Sequence, residues 1–182
     1  LSLFLGVFAA WIISFYNIPC KNIFSFFLIL PIAIPPYAVS YCYADLLDQG
    51  GLLGGLLNNS LFLNINFEPS FRSIYGAILI LSLTLFPYVY LITRYSFIKN
   101  AKVIIEAAAN LGASNFFVFH KVALPLARPA VAAGLVLVIM ESLADFGVVH
   151  FLGVESLSVG IYKAWFSLED INSASRLATL LF

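Results

Sequence analysis

Long stretches without charge dominate this sequence and limit what it can fold into. Residues 24–44 and 73–93 contain no Asp, Glu, Lys or Arg, and residues 129–149 contain only two acids. Each stretch is long enough for a helix that crosses a bilayer, which takes roughly 20 apolar residues. Overall, 62% of the 182 residues are hydrophobic and 10% are charged, against about 25% charged in ordinary soluble domains. The sequence therefore predicts an all-α membrane protein, a polytopic bundle of transmembrane helices, and excludes an ordinary soluble domain.

The basic residues predict how the bundle is oriented, because Lys and Arg accumulate in cytoplasmic loops. Residues 50–67 are uncharged, but their four glycines and four asparagines disfavour a spanning helix. We therefore place this segment outside the membrane core, as a re-entrant or surface segment. Most of the basic residues then share the cytoplasmic side: Lys21, Arg94, Lys99, Lys102, Lys121 and Arg128.

The predicted spans are about 1–16, 24–47, 73–93, 129–149 and 172–182 onward, with a cytoplasmic loop over 94–128 and outer segments over 48–72 and 150–171. Prolines interrupt two of these spans and favour kinks, because proline lacks a backbone donor: Pro31, Pro35 and Pro36 in the second and Pro87 in the third. The chain begins with Leu1 and ends at Phe182 within an apolar run, so we expect it to be part of a longer protein.

The cytoplasmic loop contains a predicted helix–turn–helix. Residues 102–111 are rich in good helix formers, and Gly112 suits the position just past a helix end. Ser114 can cap a second helix over roughly 115–122. A short hairpin is therefore expected between two spans.

The second helix of this hairpin carries three aromatic side chains, those of Phe116, Phe117 and Phe119. Pro125 is expected to end the helix, and Pro129 suits the first turn of the next span. Aromatic residues on the water side of a membrane need cover from lipid, from the rest of the protein or from a partner. A groove in a partner protein is a common solution.

The residue spacing of the hairpin resembles the cytoplasmic signature of permease subunits of binding-protein-dependent ATP-binding cassette (ABC) importers. That signature is Glu-Ala-Ala, three residues, Gly, nine residues, an Ile-like residue, one residue and Leu-Pro. The corresponding residues are Glu106, Ala107, Ala108, Gly112, Val122, Leu124 and Pro125. The resemblance implies a type I ABC importer permease fold, with the chain forming one incomplete transmembrane domain.

The resemblance also implies that the hairpin is a coupling helix that docks into a cleft on an ATPase subunit. The residues it assigns to this contact are Glu106, Ala107, Ala108, Gly112, Ser114, Phe116, Phe117, Phe119, Leu124 and Pro125. The chain has no GxxxxGK[ST] phosphate loop. We therefore expect no enzymatic activity and no cofactor in this chain, with ATP bound by a separate partner.

The partners implied by this family are an ABC ATPase subunit dimer, a periplasmic or lipid-anchored substrate-binding protein, a second permease repeat (fused or separate) and the lipid bilayer. No nucleic-acid partner is expected. The implied location is the bacterial inner membrane, crossed several times.

Four segments, 28–47, 86–92, 124–149 and 160–170, resemble the ferric-iron permeases of this class, which implies Fe(III) delivered by the binding protein as cargo. Permeases for thiamine, putrescine, phosphonate or sulfate share the Glu-Ala-Ala segment, so these cargoes remain alternatives.

Candidates for the translocation path come from two spans. Glu141 and Asp145 are four residues apart and would share a helix face, and acids within spans are functional candidates. The alternative is that both lie at the outer rim, bonded to loop groups. Tyr37 and Tyr41 offer hard oxygen atoms that suit Fe(III), although tyrosines also gather at membrane interfaces. None of these residues is a firm metal ligand.

Two other classes of function are less well supported by the sequence. An ion-coupled secondary transporter could use Glu141 and Asp145 as proton or cation sites, but the Glu-Ala-Ala spacing argues against it. An intramembrane enzyme would need a nucleophile with a base, and motifs such as HExxH or GxSxG are missing from the sequence.

Overall fold

The structure is a computed structural model, and it describes residues 1–16, 18–47 and 72–181. Every regular element in these ranges is helical, so the predicted all-α fold is confirmed. The predicted outer segment 50–67 lies outside the described residues.

The helices up to residue 47 are α1 (Ser2–Phe15), α2 (Lys21–Ile29), a 3-10 turn (Leu30–Ala33) and α3 (Pro36–Leu47). From residue 72 onward the helices are α4 (Ile74–Ser96), α5 (Lys102–Asn110), α6 (Asn115–Val118), α7 (Leu124–Ala144), α8 (Gly147–Phe151), α9 (Leu157–Tyr162) and α10 (Ile171–Leu181). Turns of π-helix follow α4, α6 and α9 at Phe97–Ala101, Phe119–Ala123 and Lys163–Ser167.

Within the described residues, two helices are long and apolar enough to cross a membrane, Ile74–Lys99 and Phe116–Ala144. Where the sequence predicts a span over 24–47, the structure has a pair of helices, Lys21–Ala33 and Pro36–Leu46, bent by 97°. Pro35 and Pro36 explain this break, because proline lacks an amide donor and disfavours the α conformation of the residue before it.

The helix that contains α7 begins earlier than the sequence analysis expects. Pro125 does not end the second hairpin helix, and Pro129 lies inside α7 instead of starting it. The chain continues from α6 through the π turn into α7 as one helix. Prolines are tolerated in membrane helices where local π adjustments and neighbouring helices compensate for the missing amides.

At its other end, α7 stops at Ala144 instead of continuing to residue 149. The Asp145 carboxylate accepts hydrogen bonds from the amides of Val148 and Val149, at 3.0 and 3.4 Å. Short polar side chains that bond nearby backbone in this way compete with helix continuation and favour a new helix start. Asp145 therefore separates α7 from α8.

The described residues group into two units, Leu1–Ala33 with Ser82–Glu141 and Ile34–Leu81 with Ser142–Phe182. In the first unit, Val89 of α4 is fully buried and two glycines pack against it. An ideal Cβ on Gly6 would lie 2.6 Å from the Val89 Cβ, and one on Gly134 would lie 2.9 Å from the Val89 Cα. Small residues let membrane helices approach this closely.

In the second unit, α3 packs on α8 through two of its tyrosines. An ideal Cβ on Gly147 would lie 2.8 Å from the Tyr37 Cβ, and the rings of Tyr41 and Phe151 are 3.9 Å apart between centroids. The buried core beside them consists of Ala77, Ile80, Val148 and Leu152.

Candidate functional site

The turn of the hairpin is closed by backbone hydrogen bonds around one left-handed glycine. Gly112 has φ +82°, a conformation that glycine adopts without a steric penalty. The Ala113 amide donates to the Ala108 carbonyl at 3.2 Å, which is the long bond of a Schellman motif. The Ala-rich sequence of α5 thus ends in a defined turn, as the position of Gly112 predicts.

Ser114 begins the second half of the hairpin. Its hydroxyl accepts a hydrogen bond from the Phe117 amide at 3.3 Å, and its carbonyl accepts one from the Val118 amide at 2.9 Å. A serine in this position satisfies an amide that has no partner in the first turn. The predicted capping role of Ser114 is therefore confirmed, and it fixes the direction of α6.

The outer surface of the hairpin is apolar. The side chains of Leu111, Phe116 and Phe117 are 89%, 74% and 54% exposed. Phe116 stacks on His120 with 4.3 Å between ring centroids, and a ring nitrogen of His120 lies 3.3 Å from the Phe116 carbonyl oxygen. The capped turn therefore presents three large apolar side chains, two of them at the start of the long helix Phe116–Ala144.

The inner surface of the hairpin is anchored to the first unit. Val118 and Ala123 are buried, and the Phe119 ring packs on Trp11 of α1 with 4.9 Å between centroids. The sequence predicts that Phe116, Phe117 and Phe119 share one contact surface, but in the structure Phe119 packs on α1 and the other two side chains are exposed. It holds the hairpin in place, whereas the other two face outward.

The remaining residues of the Glu-Ala-Ala signature occupy defined positions on the backbone. Glu106 lies in α5, but its side chain is outside the described part of the structure. Ala107 is exposed and Ala108 is half-buried, as are Leu124 and Pro125 at the start of α7. Ala108 packs against the same core cluster as Phe119.

Leu111 is the exposed residue that the sequence analysis missed. It directly precedes Gly112, where the chain reverses, so neither hairpin helix can cover its side chain. An apolar residue immediately before a helix-ending glycine is a signal that could have identified it.

The two acidic candidates for a translocation path are not on one continuous helix. Glu141 lies in the last turn of α7 and is exposed, and Asp145 lies beyond the end of that helix, where it caps α8. The Asp145 carbonyl oxygen also accepts a hydrogen bond from the Ser158 hydroxyl at 2.7 Å. The predicted shared helix face is therefore wrong, because Asp145 bonds the backbone of α8.

The two tyrosine candidates lie on α3, with exposed fractions of 52% for Tyr37 and 55% for Tyr41. Tyr37 lies against Gly147 through its Cβ, and the Tyr41 ring packs on the Phe151 ring, both within the second unit. Among the described residues, no group of three or more His, Cys, Asp or Glu side chains is placed to hold a metal ion.

Long apolar helices joined by a capped hairpin with an exposed apolar tip define a polytopic membrane protein. Residues 2–166 match the family described as "Binding-protein-dependent transport system inner membrane component". The chain belongs to this family. Its predicted location in the inner membrane is confirmed.

Relatives named for two transport systems are similar to the chain. The molybdenum transport system permease protein ModB of Haemophilus influenzae is 35% identical over 147 residues, which cover 80% of this chain and 62% of the relative. The ModB protein of Escherichia coli strain K12 is 33% identical over the same coverage. The sulfate transport system permease protein CysT of Salmonella typhimurium is 29% identical over 191 residues, covering 99% of this chain and 66% of the relative.

The chain thus spans about three fifths of the length of the ModB relatives, 62% in both cases. Neither transport system named in these relatives is an iron system. The comparisons support the predicted permease family and do not support the ferric-iron resemblance.

Proposed function

We propose that the chain is the permease part of an ABC importer, in which the hairpin over residues 102–123 docks on a separate ATPase subunit. The observation that carries this proposal is the exposed position of Leu111, Phe116 and Phe117 on a turn that is closed by hydrogen bonds and anchored to α1. An apolar surface of this kind, next to basic residues at the end of two spans, suits a cleft on a cytoplasmic protein.

The mechanism follows from how the hairpin is attached. Because α6 continues through the π turn into α7, a displacement of Phe116 is transmitted to a helix long enough to cross the membrane. Phe119 on Trp11 transmits the same displacement to α1. Closure of two ATPase subunits around ATP would therefore move the spans together and switch the permease between inward-facing and outward-facing states.

The proposed cargo is a tetrahedral dianion, molybdate or sulfate. The relatives named for molybdenum and sulfate support this assignment, and sulfate was among the alternatives from the sequence. Ferric iron is the weaker candidate, since Asp145, a residue expected to attract a cation, bonds the backbone amides of α8. A periplasmic or lipid-anchored binding protein would deliver the cargo, and a second permease repeat, fused or separate, would complete the path.

The coupling proposal can be tested by co-purifying the ATPase subunit with the full-length protein. Phe116→Asp is expected to reduce the recovered ATPase strongly, because a carboxylate would enter an apolar contact. Leu168→Asp is a matched control, since Leu168 is 73% exposed and Phe116 is 74% exposed but Leu168 lies outside the hairpin. Equal recovery with both variants would refute docking through Phe116.

The cargo proposal can be tested separately by uptake of radioactive molybdate, sulfate and ferric iron into cells that lack the chromosomal gene. Restoring the wild-type gene is expected to restore uptake of one of the two oxyanions. Restored uptake of iron alone would refute the oxyanion assignment and leave the coupling proposal intact.

A further inference from the structure

A polar cluster lies inside the first unit, between α2 and α4, and neither the coupling contact nor the cap residues use it. Tyr90 is fully buried and Ser25 is 8% exposed. The Ser25 and Tyr90 hydroxyl oxygens are 3.0 Å apart. A guanidinium nitrogen of Arg94 donates a hydrogen bond to the Ser25 hydroxyl oxygen, and the guanidinium carbon lies 5.8 Å from the centre of the Tyr90 ring.

The cluster has more hydrogen-bond donors than acceptors. Arginine has five N–H donors and no acceptor. Within the described residues, the Arg94 side chain donates a hydrogen bond to the Ser25 hydroxyl oxygen. The Arg94 Nε is buried and has no partner there. Either hydroxyl can donate the hydrogen bond between Ser25 and Tyr90. In both cases the hydrogen of the other hydroxyl has no acceptor within this cluster.

The cluster is also positively charged. In the described part of the chain no carboxylate pairs with Arg94. Lys21 stands four residues before Ser25 on α2, which places both on one helix face, and its ammonium donates to the Ser14 carbonyl at 3.4 Å. Arg94 is half-buried, and an arginine held partly out of water near a membrane span without a counter-charge is costly and is a candidate for a functional role.

We propose that Arg94, Ser25 and Tyr90 form a binding site for an oxyanion. The ligand supplies the missing acceptors and the missing negative charge, and arginine suits it because the guanidinium fork matches paired anionic oxygens. Two sources share this chemistry: the free tetrahedral cargo anion and the phosphate of a lipid headgroup. The first source rests on the proposed function, and the second does not.

The position of Arg94 gives the site a role in either case. Arg94 lies in the last turn of α4, just before the π turn that leads into the coupling hairpin. In the proposed topology this is the cytoplasmic end of the span, where cargo leaves. An anion bound there would contact the helix that moves with the hairpin.

The test uses the purified full-length protein in dodecyl maltoside, a detergent without a phosphate group. Sodium molybdate and sodium sulfate are titrated by calorimetry, and the binding of phosphatidylglycerol is measured by native mass spectrometry. Arg94→Gln is expected to weaken the bound oxyanion about tenfold or more, and Ser25→Ala about two- to tenfold, as for charged and neutral hydrogen bonds. Arg128→Gln removes the same charge from an exposed position of α7 and is expected to change binding less than about twofold.

Each outcome is informative. If Arg94→Gln loses molybdate or sulfate binding, the site is a cargo site. If it loses only phosphatidylglycerol binding, the site is a lipid site, and this result would stand even if the cells show no oxyanion uptake. Arg94→Lys and Ser25→Ala retain most of the contacts and keep the test valid if Arg94→Gln unfolds. The proposal is overturned if the wild-type protein binds none of the three probes, or if the variants at 94 and 25 bind them as Arg128→Gln does.

Discussion

The ideal Cβ position of Gly134 lies 2.9 Å from the Cα of Val89, so α7 and α4 touch through their backbones at this point. Gly6 of α1 packs on the same valine from another helix. The hairpin connects α4 to α7, so its position depends on this contact. Tight helix packing and the placement of the hairpin are therefore linked.

Gly134→Ala is expected to lower the free energy of unfolding by about 1–3 kcal/mol, the usual effect of overpacking. The added methyl group meets the Val89 backbone, which cannot rotate away. Thermal unfolding in detergent measures the change. Ala133→Ser adds one atom at an exposed neighbour and should stay within about 0.5 kcal/mol of wild type; equal destabilisation by both substitutions would contradict the packing account.

Phe119 and Phe116 are expected to respond differently to truncation. Phe119→Ala removes the contact with Trp11 and should destabilise the protein by about 1–3 kcal/mol, less than for a fully buried ring. Phe116→Ala removes a side chain that is 74% exposed and should leave stability nearly unchanged while weakening ATPase binding. The opposite order in unfolding experiments would show that the two rings are misassigned.

The helix–turn–helix of the hairpin could be predicted because its signals are local. The Ala-rich run favours a helix, Gly112 favours the turn that ends it, and Ser114 favours the start of the next helix. The structure has the turn and the cap at these residues. The apolar stretches 73–93 and 129–149 likewise predict helices long enough to span, and the structure has such helices at Ile74–Lys99 and Phe116–Ala144, because the requirement for internal hydrogen bonding in lipid leaves few alternatives.

Features that depend on neighbouring helices could not be predicted in this way. A proline is a local breaker, but Pro125 and Pro129 lie in a helix that continues through them. Whether Phe119 faces Trp11 or a partner depends on where α1 lies, and the sequence does not give that position. The pairing of Arg94 with Ser25 joins residues 69 positions apart, and no periodicity indicates it.

Gly112 and Gly153 provide a matched test of the turn. Both have positive φ, +82° and +70°, and at both positions an added Cβ meets nothing within 4 Å. Replacing either with Ala should cost about 1–2 kcal/mol of backbone strain. Gly112→Ala is expected to weaken ATPase binding several-fold as well, whereas Gly153→Ala should leave it unchanged. Co-purification titrations would detect the difference. If both substitutions weakened ATPase binding equally, the effect would come from lower stability of the whole protein and not from the turn at Gly112.

The start of α10 is expected to depend on pH. The hydroxyl and the amide of Ser173 donate to the Asp170 carboxylate and hold its pKa below the ordinary value of 3.8, against a smaller opposing effect of burial. Because the pKa is lower in the folded state, this stabilisation is fully present above the unfolded pKa and is lost as the pH falls through the folded pKa.

Amide hydrogen exchange at the first turn of α10 can measure this loss. Ser173→Ala should raise the pKa of Asp170 towards its ordinary value and speed exchange, whereas Ser175→Ala, one turn away from the carboxylate, should leave that pKa unchanged. A pKa that stays the same in Ser173→Ala would contradict the capping assignment.

Site-specific photocrosslinking in intact cells tests the proposed contact between the hairpin and the ATPase subunit. A photoreactive phenylalanine analogue replaces Phe116 in one strain and Leu168 in another. The account predicts a crosslink to the ATPase subunit from position 116 and none from position 168. A hairpin that gives no such product, or that crosslinks only to the binding protein on the other side of the membrane, would contradict it.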